Sequence, residues 1–244
     1  MKFECKNKYK MGYSFFGKNM KLKINECFNL AQNNITEYFK KFDRDNLFIR
    51  ENYNAVWVAS KTRIHVFNNA HWLETLNAES ITTLVKPIRI EMETKFTNQD
   101  NELVFVASQQ SCLLDMDTRK IRKIDTVNFP KDMDVEATLF ENGYQKLNDE
   151  FNEEDFVYEQ TVFSQDIDFS NHINNAVYVR YIMNALPIEL LDRIDITDAE
   201  IHYLAEGKEG QKLRIYRKDI DGKTIRFLIK ENDRELIRAS IEYK

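Results

Sequence analysis

The chain has 244 residues, 43% of them hydrophobic and 31% charged, which suffices for the packed cores of two small domains and argues against disorder. A formal net charge of -5 gives no support for a nucleic-acid binder, and no apolar run approaches the roughly 18 residues of a membrane span. Three widely spaced cysteines (Cys5, Cys27, Cys112) exclude a disulfide scaffold or a cysteine zinc site and fit a reducing cytoplasm, and six glycines cannot assemble a phosphate loop.

In chain order, the N-terminal stretch MKFECKNKYKMGYSFFGKNMK is basic and broken by Asn and Gly, without the continuous apolar segment of a secretory signal. Residues 25–42 then carry Phe28, Ala31, Ile35, Tyr38, Phe39 and Phe42 at three- and four-residue steps, which predicts an amphipathic helix. Strands follow: Ile64 and Val66 alternate with Arg63 and His65, and Leu103, Phe105 and Ala107 mark another after the polar turn at 98–102. Residues 129–154 are rich in acids and Asn with no clean periodicity, which reads as a linker crossing the surface.

A second helix is predicted over 174–186 from Val177, Tyr178, Tyr181, Ile182, Ala185 and Leu186, with Pro187 ending it. Further strands carry Ile225, Phe227 and Ile229, then Ile237, Ala239 and Ile241, separated by polar turns at 219–223 and 231–235. Asp221-Gly222 suits a two-residue hairpin turn. One helix followed by antiparallel strands, occurring twice without residue-level identity between the copies, is an α+β arrangement in which two sheets lie side by side.

The densest polar cluster next to a helix start runs from Gln165 to Asn175 and offers the Asp168 carboxylate, the Ser170 hydroxyl and the His172 imidazole. Asn174 and Asn175 suit the cap of the helix, whose free N–H groups can hold an oxyanion. An acyl-transfer site needs such parts together, although Asp, Ser and Asn are also ordinary turn and cap residues. No residue pattern predicts a metal or an organic cofactor.

The stretch SQDIDFSNHINNAVYVRYIMNALP (164–187) resembles the acyl-acyl carrier protein (ACP) thioesterase family, whose signature is Asp-x-Asp-x-Asn-x-His-Val-Asn-Asn before a helix. The resemblance continues in IHYLAEG (201–207), in WVASKTR (57–63) and in ASQQSCLLDMDTRKIRKI (107–124), and so touches nearly the whole chain in order. It implies two fused hotdog domains, each a curved antiparallel sheet around one long helix. The first, 1–128, would hold the acyl chain, with Trp57, Phe28, Ile35 and Phe39 as wall candidates. Residues 129–154 would link it to a catalytic domain, 155–244.

The implied activity is release of free fatty acids from acyl-ACP, as in fatty acid biosynthesis. The implied site is Asp168, Ser170, His172 and Glu206, with Asn174 and Asn175 at the oxyanion end. Asp168 would activate water or attack the thioester itself, with Glu206 and His172 orienting or activating the water. Ser170 stands where most members have Asn, losing the amide's reach. Gly207 stands where plant relatives often have Cys, and no cysteine lies near these motifs in sequence, which disfavours a Cys–His mechanism. Acyl-ACP is the expected partner, met by a locally basic surface for which Arg119, Lys120, Arg122 and Lys123 are the densest candidates. Dimer formation stays open. So do two other readings: an acyl-coenzyme A thioesterase sharing the phosphopantetheine arm, and a non-catalytic acyl-binding or sensing protein, which Ser170 favours.

Overall fold

The computed structural model of the protein describes residues 3–244; residues 1 and 2, at the head of the basic N-terminal stretch, lie outside the described residues. After strand β1 (Cys5–Lys10), the first apolar stripe becomes helix α1 (Ile24–Lys40), which buries Phe28, Ala31, Ile35, Tyr38 and Phe39 against the sheet, with Phe42 buried just past its end. Burial of each such side chain is worth about 1.5–3 kcal/mol, so this stripe fixes the helix on its sheet. A short helix not anticipated from the sequence, α2 (Asn46–Tyr53), begins where the Asp45 carboxylate accepts from the N–H groups of Leu47 and Phe48. It ends at Asn54 in the left-handed conformation (φ 50°), a position that Asn tolerates.

Strands β2 (Ala55–Val66), β3 (Thr75–Lys86), β4 (Arg89–Thr97), β5 (Leu103–Asp115) and the short β6 (Ile121–Arg122) complete the first half. The second half comprises β7 (Phe156–Thr161), α3 (Asn175–Asn184), the one-turn α4 (Ile188–Leu191), β8 (Ile196–Tyr203), β9 (Lys212–Asp219), β10 (Thr224–Glu231) and β11 (Arg234–Tyr243). Helix α3 stops at Asn184, short of Pro187 as expected, and Pro187 in extended conformation is the N-cap of α4. The 98–102 turn joins β4 to β5, and the 231–235 turn tightens to Asn232-Asp233, with Asn232 at φ 52°. Asp221-Gly222 sits inside a longer loop, 220–223, than a two-residue turn. The Asp219 and Asp221 carboxylates accept from Gly222, Lys223 and Thr224 N–H groups and hold the wider loop closed.

Among the described residues, all strands join one antiparallel 11-stranded sheet in the order β1-β3-β4-β5-β2-β8-β11-β10-β9-β7, with β6 on β5. The halves meet at β2 and β8, where Thr62 faces Ile201 and Ile64 faces Ala199. Helices α1 and α3 pack against each other. One hydrophobic core runs through both halves, joining Phe28, Ala31 and Phe105 to Tyr181, Ile201 and Phe227, and a second, around Ile35, Phe39 and Trp57, lies in the first half. This is the expected α+β architecture of two fused hotdog units. Among the described residues, no helix is long and apolar enough to cross a membrane.

The two halves repeat in backbone detail that their sequences hide. The N–H of Gly17 donates to Lys21 O (2.9 Å) as Asp168 N–H does to His172 O (2.9 Å), and Met20 N–H reaches Gly17 O (3.0 Å) as Asn171 N–H reaches Asp168 O (3.0 Å). Lys23 N–H on Phe15 O matches Asn174 N–H on Asp166 O, and the bridge Phe16–Leu22 matches Ile167–Ile173. Met20 and Asn171 both take positive φ, 59° and 63°. Past the strand ends, Phe67 and Asn68 both donate to Val104 O as Leu204 and Ala205 both donate to Leu236 O.

Residues 129–154 contain no strand and only the start of a single turn, yet they are pinned along much of their length. Phe129 packs on Phe42 and Trp57, and Glu136 N–H bonds Thr82 O. The segment then covers charged residues of the sheet. Thr138 and Leu139 bond Glu93, Asn142 O accepts from Arg63, Gln145 N–H donates to Glu200 and Asp149 O accepts from Arg238. The Arg63 guanidinium lies 3.9 Å from the Phe140 ring centroid and 4.6 Å from that of Tyr144, a stacking that compensates its burial.

Candidate active site

The loop before α3 is held at both ends by buried contacts. Asp166 is buried, pairs with the Arg180 guanidinium and accepts from Phe163 N–H, while its carbonyl takes the Asn174 N–H. Asp168 folds its carboxylate back onto Ser170 N–H (2.8 Å), the Asx geometry that suits a short polar residue at a tight turn. Asn171 supplies the left-handed residue, and His172 follows with Nε2 3.1 Å from Oε2 of Glu206. The guanidinium of Arg119, carried by the turn after β5, pairs with the same Glu206 oxygen.

Gly207 fastens this loop to the end of β8. Its carbonyl accepts from Ile173 N–H (3.0 Å) and its own N–H donates to the Tyr178 hydroxyl (2.9 Å). A Cβ at this position would sit 2.5 Å from Ile173 Cδ1 and 2.7 Å from the Tyr178 oxygen. A cysteine here would therefore push aside the Ile173 side chain or the Tyr178 hydroxyl, next to His172. Tyr178, a core position of the predicted helix, thus also anchors the site.

Asp168, Ser170, His172, Asn175 and Glu206 line a cavity of about 740 Å³ that extends into the first half, where Ile35, Phe39 and Trp57 form part of its wall. Trp57 stacks on Phe39 (4.9 Å) and spends its indole N–H on Arg44 O (2.8 Å), so only its apolar surface is offered to a ligand. One expected wall residue, Phe28, and one residue expected at the oxyanion end, Asn174, do not line this cavity. Phe28 belongs to the core shared by the two halves, about two helical turns before Ile35 along α1. Asn174 is the N-cap of α3: its side chain accepts from Ala176 N–H, its carbonyl from Val177 N–H, and its own N–H is spent on Asp166. Asn175 is the residue of that helix start that reaches the cavity.

Burial is the largest influence on the Asp168 carboxyl and pushes it above the ordinary aspartate range; the bond from Ser170 N–H and the charge of His172 oppose this, and Glu206 adds to it. Cys112, distant in sequence from every motif, sits on the same cavity wall because β5 pairs with β2 there. Burial raises its thiol above the ordinary range, so it is a thiol rather than a nucleophilic thiolate at neutral pH. The basic run at 119–123 is split. Arg119 is on Glu206, Arg122 is 3.6 Å from Asp115 and bonds Tyr53 O, and Lys120 and Lys123 are exposed. Among the described residues, no group of three or more His, Cys, Asp or Glu side chains is placed to hold a metal ion.

Residues 2–127 match the family of the acyl-ACP thioesterase N-terminal domain, and residues 149–244 that of the acyl-ACP thioesterase C-terminal domain. A search of the curated proteins finds no match. Among solved structures, the chain is similar to an acyl-ACP thioesterase from Bacteroides thetaiotaomicron, at 18% identity and TM-score 0.87 over 99% of this chain and 98% of that one. It is likewise similar to the 12:0-ACP thioesterase from Umbellularia californica, at 18% identity and TM-score 0.85 over 99% and 97%. At these identities the structures speak for the fold. The two domain matches together span nearly the whole chain, and the chain belongs to the acyl-ACP thioesterase family of thioester hydrolases.

Proposed function

We propose that the protein hydrolyses fatty acyl-ACP at the Asp168–His172–Glu206 cluster, with the acyl chain lying across the junction into the first half. The observation that carries this is the shared cavity. Its wall holds two carboxylates and an imidazole, with His172 3.1 Å from Glu206, and also the apolar Ile35, Phe39 and Trp57 of the first half. In this reading residues 1–128 supply the acyl pocket, 155–244 the chemistry and 129–154 the connection between them.

Asp168 acts as the general base. Its carboxylate takes a proton from water as the water oxygen adds to the thioester carbonyl, and the raised carboxyl pKa makes it a better base than an exposed aspartate. The tetrahedral oxyanion collapses with cleavage of the carbon–sulfur bond. The thiol of the carrier's pantetheine arm leaves with a proton from His172, which Glu206 orients. Asn175 at the helix start is the donor nearest the oxyanion end. Arg119 orients Glu206 and sits with Arg234 on the cavity wall, where an acidic carrier would approach. Three free cysteines, two of them buried, fit action in a reducing cytoplasm.

The test is fatty acid release from a panel of acyl-ACP thioesters, with the same acyl groups on coenzyme A. The expected result is turnover on carrier protein, reduced about a hundredfold or more by His172→Ala with the fold intact. Turnover on coenzyme A alone would overturn the carrier assignment, and unimpaired His172→Ala would overturn the site.

A further inference from the structure

The backbone repeat creates a second cavity that the proposed hydrolysis leaves unused. It has a volume of about 680 Å³ and lies beside the loop before α1, as the catalytic cavity lies beside the loop before α3. Matching hydrogen bonds put Gly17 at the place of Asp168 and Lys21 at that of His172. The matched pairs Phe67, Asn68 and Leu204, Ala205 put Asn69 at the place of Glu206. The fold is thus repeated with its hydrolytic groups exchanged for a glycine, an ammonium and an amide.

The wall of this cavity is apolar at Leu22, Ile24, Met183 and Leu191. Its charge is mainly positive, with Lys18, Lys21, Lys23, Lys244 and Arg180, the last paired with Asp166, against Glu26 and Asp195. Lys21 Nζ is held at the rim by Ile194 O (2.8 Å) and Asp195 (2.6 Å), Lys18 pairs with Asp192 (2.7 Å), and Lys23 bonds Ser14 O (3.0 Å). An ammonium has three donors, so Lys21 keeps one for an incoming acceptor. An apolar trough with cations at its mouth complements a ligand with a long apolar tail and one negative head.

We infer that this second cavity binds free long-chain carboxylate, the chemical class that the family's hydrolysis produces, and does not hydrolyse thioesters. The inference rests on the family's acyl chemistry for the ligand class, but not on the assignment of Asp168. A thioester, being neutral at its carbonyl, gains less from Lys21 than a carboxylate does and meets no base at Gly17. A free fatty acid pairs its carboxylate with Lys21 and lays its tail between α1 and the start of β8.

The probe is dodecanoate, titrated calorimetrically into the full chain below its micellar concentration, with dodecanoate methyl ester as the uncharged control. The expected result is two equivalents of carboxylate bound and only one of the ester. Lys21→Met should weaken the second equivalent about tenfold, as loss of a charge-assisted bond does, while basal hydrolysis of acyl-ACP stays unchanged. Lys18→Met, at a more exposed lysine, should weaken it less and guards against a folding defect in the first variant. Ala59→Trp, which fills the catalytic cavity, should leave one carboxylate equivalent that remains sensitive to Lys21→Met. A single equivalent in the wild type, or two that Lys21→Met leaves untouched, would overturn the inference without touching the catalytic assignment, which is read separately from hydrolysis.

Discussion

The loops before α1 and α3 share a backbone and almost no chemistry. Both close with an apolar bridge, both place a left-handed residue four positions after the bridge begins, and both return their chain to the helix through the same hydrogen bonds. One presents Asp168, His172 and, from the strand end, Glu206; the other presents Gly17, Lys21 and Asn69. The fold here needs only the bridge and the turn, since Lys23 starts α1 with no side-chain cap while Asn174 caps α3, and it leaves the intervening side chains free. If activity resides in the proposed site residues, it should be removable without unfolding the protein.

The largest test of this comparison is Asp168→Ala, which is expected to lower kcat for acyl-ACP by about 10²–10⁴ while far-UV dichroism and the melting curve remain those of a folded chain. An inactive variant that is also unfolded would show that the carboxylate is structural after all. Glu206→Gln keeps the shape but removes the charge held between His172 and Arg119. It should lower kcat about tenfold to a hundredfold with little change in KM, because it orients a reacting group rather than gripping the substrate.

Gly207→Ala sharpens the comparison from the opposite side, since it removes no chemical group. Its Cβ must displace Ile173 or the Tyr178 hydroxyl, a strain expected to cost about 1–3 kcal/mol of stability and to reduce activity by moving His172, measurable by denaturant melts alongside turnover. Unchanged activity in a fully stable variant would mean that the loop can slide without consequence.

The pH dependence follows from Asp168. A carboxyl whose pKa is higher folded than unfolded binds its proton more tightly in the folded state, so its ionisation opposes folding above the folded pKa. That cost disappears as pH falls below the unfolded value of about 3.9. Asp168→Asn should therefore raise Tm slightly at pH 7, and the gain should vanish toward pH 4. Wild-type kcat/KM should fall on the acid side with an apparent pKa above 3.9, since the active form is the carboxylate. The smallest effect is expected from Ser170→Asn, which should keep or raise activity within a few-fold if the residue only supplies polarity at the cavity wall.

Helix α1, the hairpin strands and the polar loop before α3 were legible in the sequence because apolar spacing and turn residues act locally. Helix α2 left a signal that periodicity missed, an Asp cap and an Asn terminus around only eight residues. The internal repeat was legible as an order of elements, but its match loop by loop was not, because that match lives in hydrogen bonds made by N–H and C=O groups, which Met20 and Asn171 form equally well. Alternation along β2 identified the face of Arg63 but not the 129–154 segment that buries it, since coverage by a distant segment has no local signature. Cys112 reached the cavity beside the loop before α3 and Arg119 reached Glu206 through strand pairing, a relation that sequence distance conceals.

In the proposed division of labour the acyl chain occupies the first half while the second half cuts it. The most direct measurement of that division uses Asp168→Asn in a Trp72→Phe background, where Trp57, stacked on Phe39 in the cavity wall, is the remaining tryptophan. Mixing with acyl-ACP should change Trp57 fluorescence as it does with Asp168 intact, while single-turnover release of fatty acid falls at least about a hundredfold. Release at the original rate, or binding that leaves Trp57 unperturbed, would contradict it.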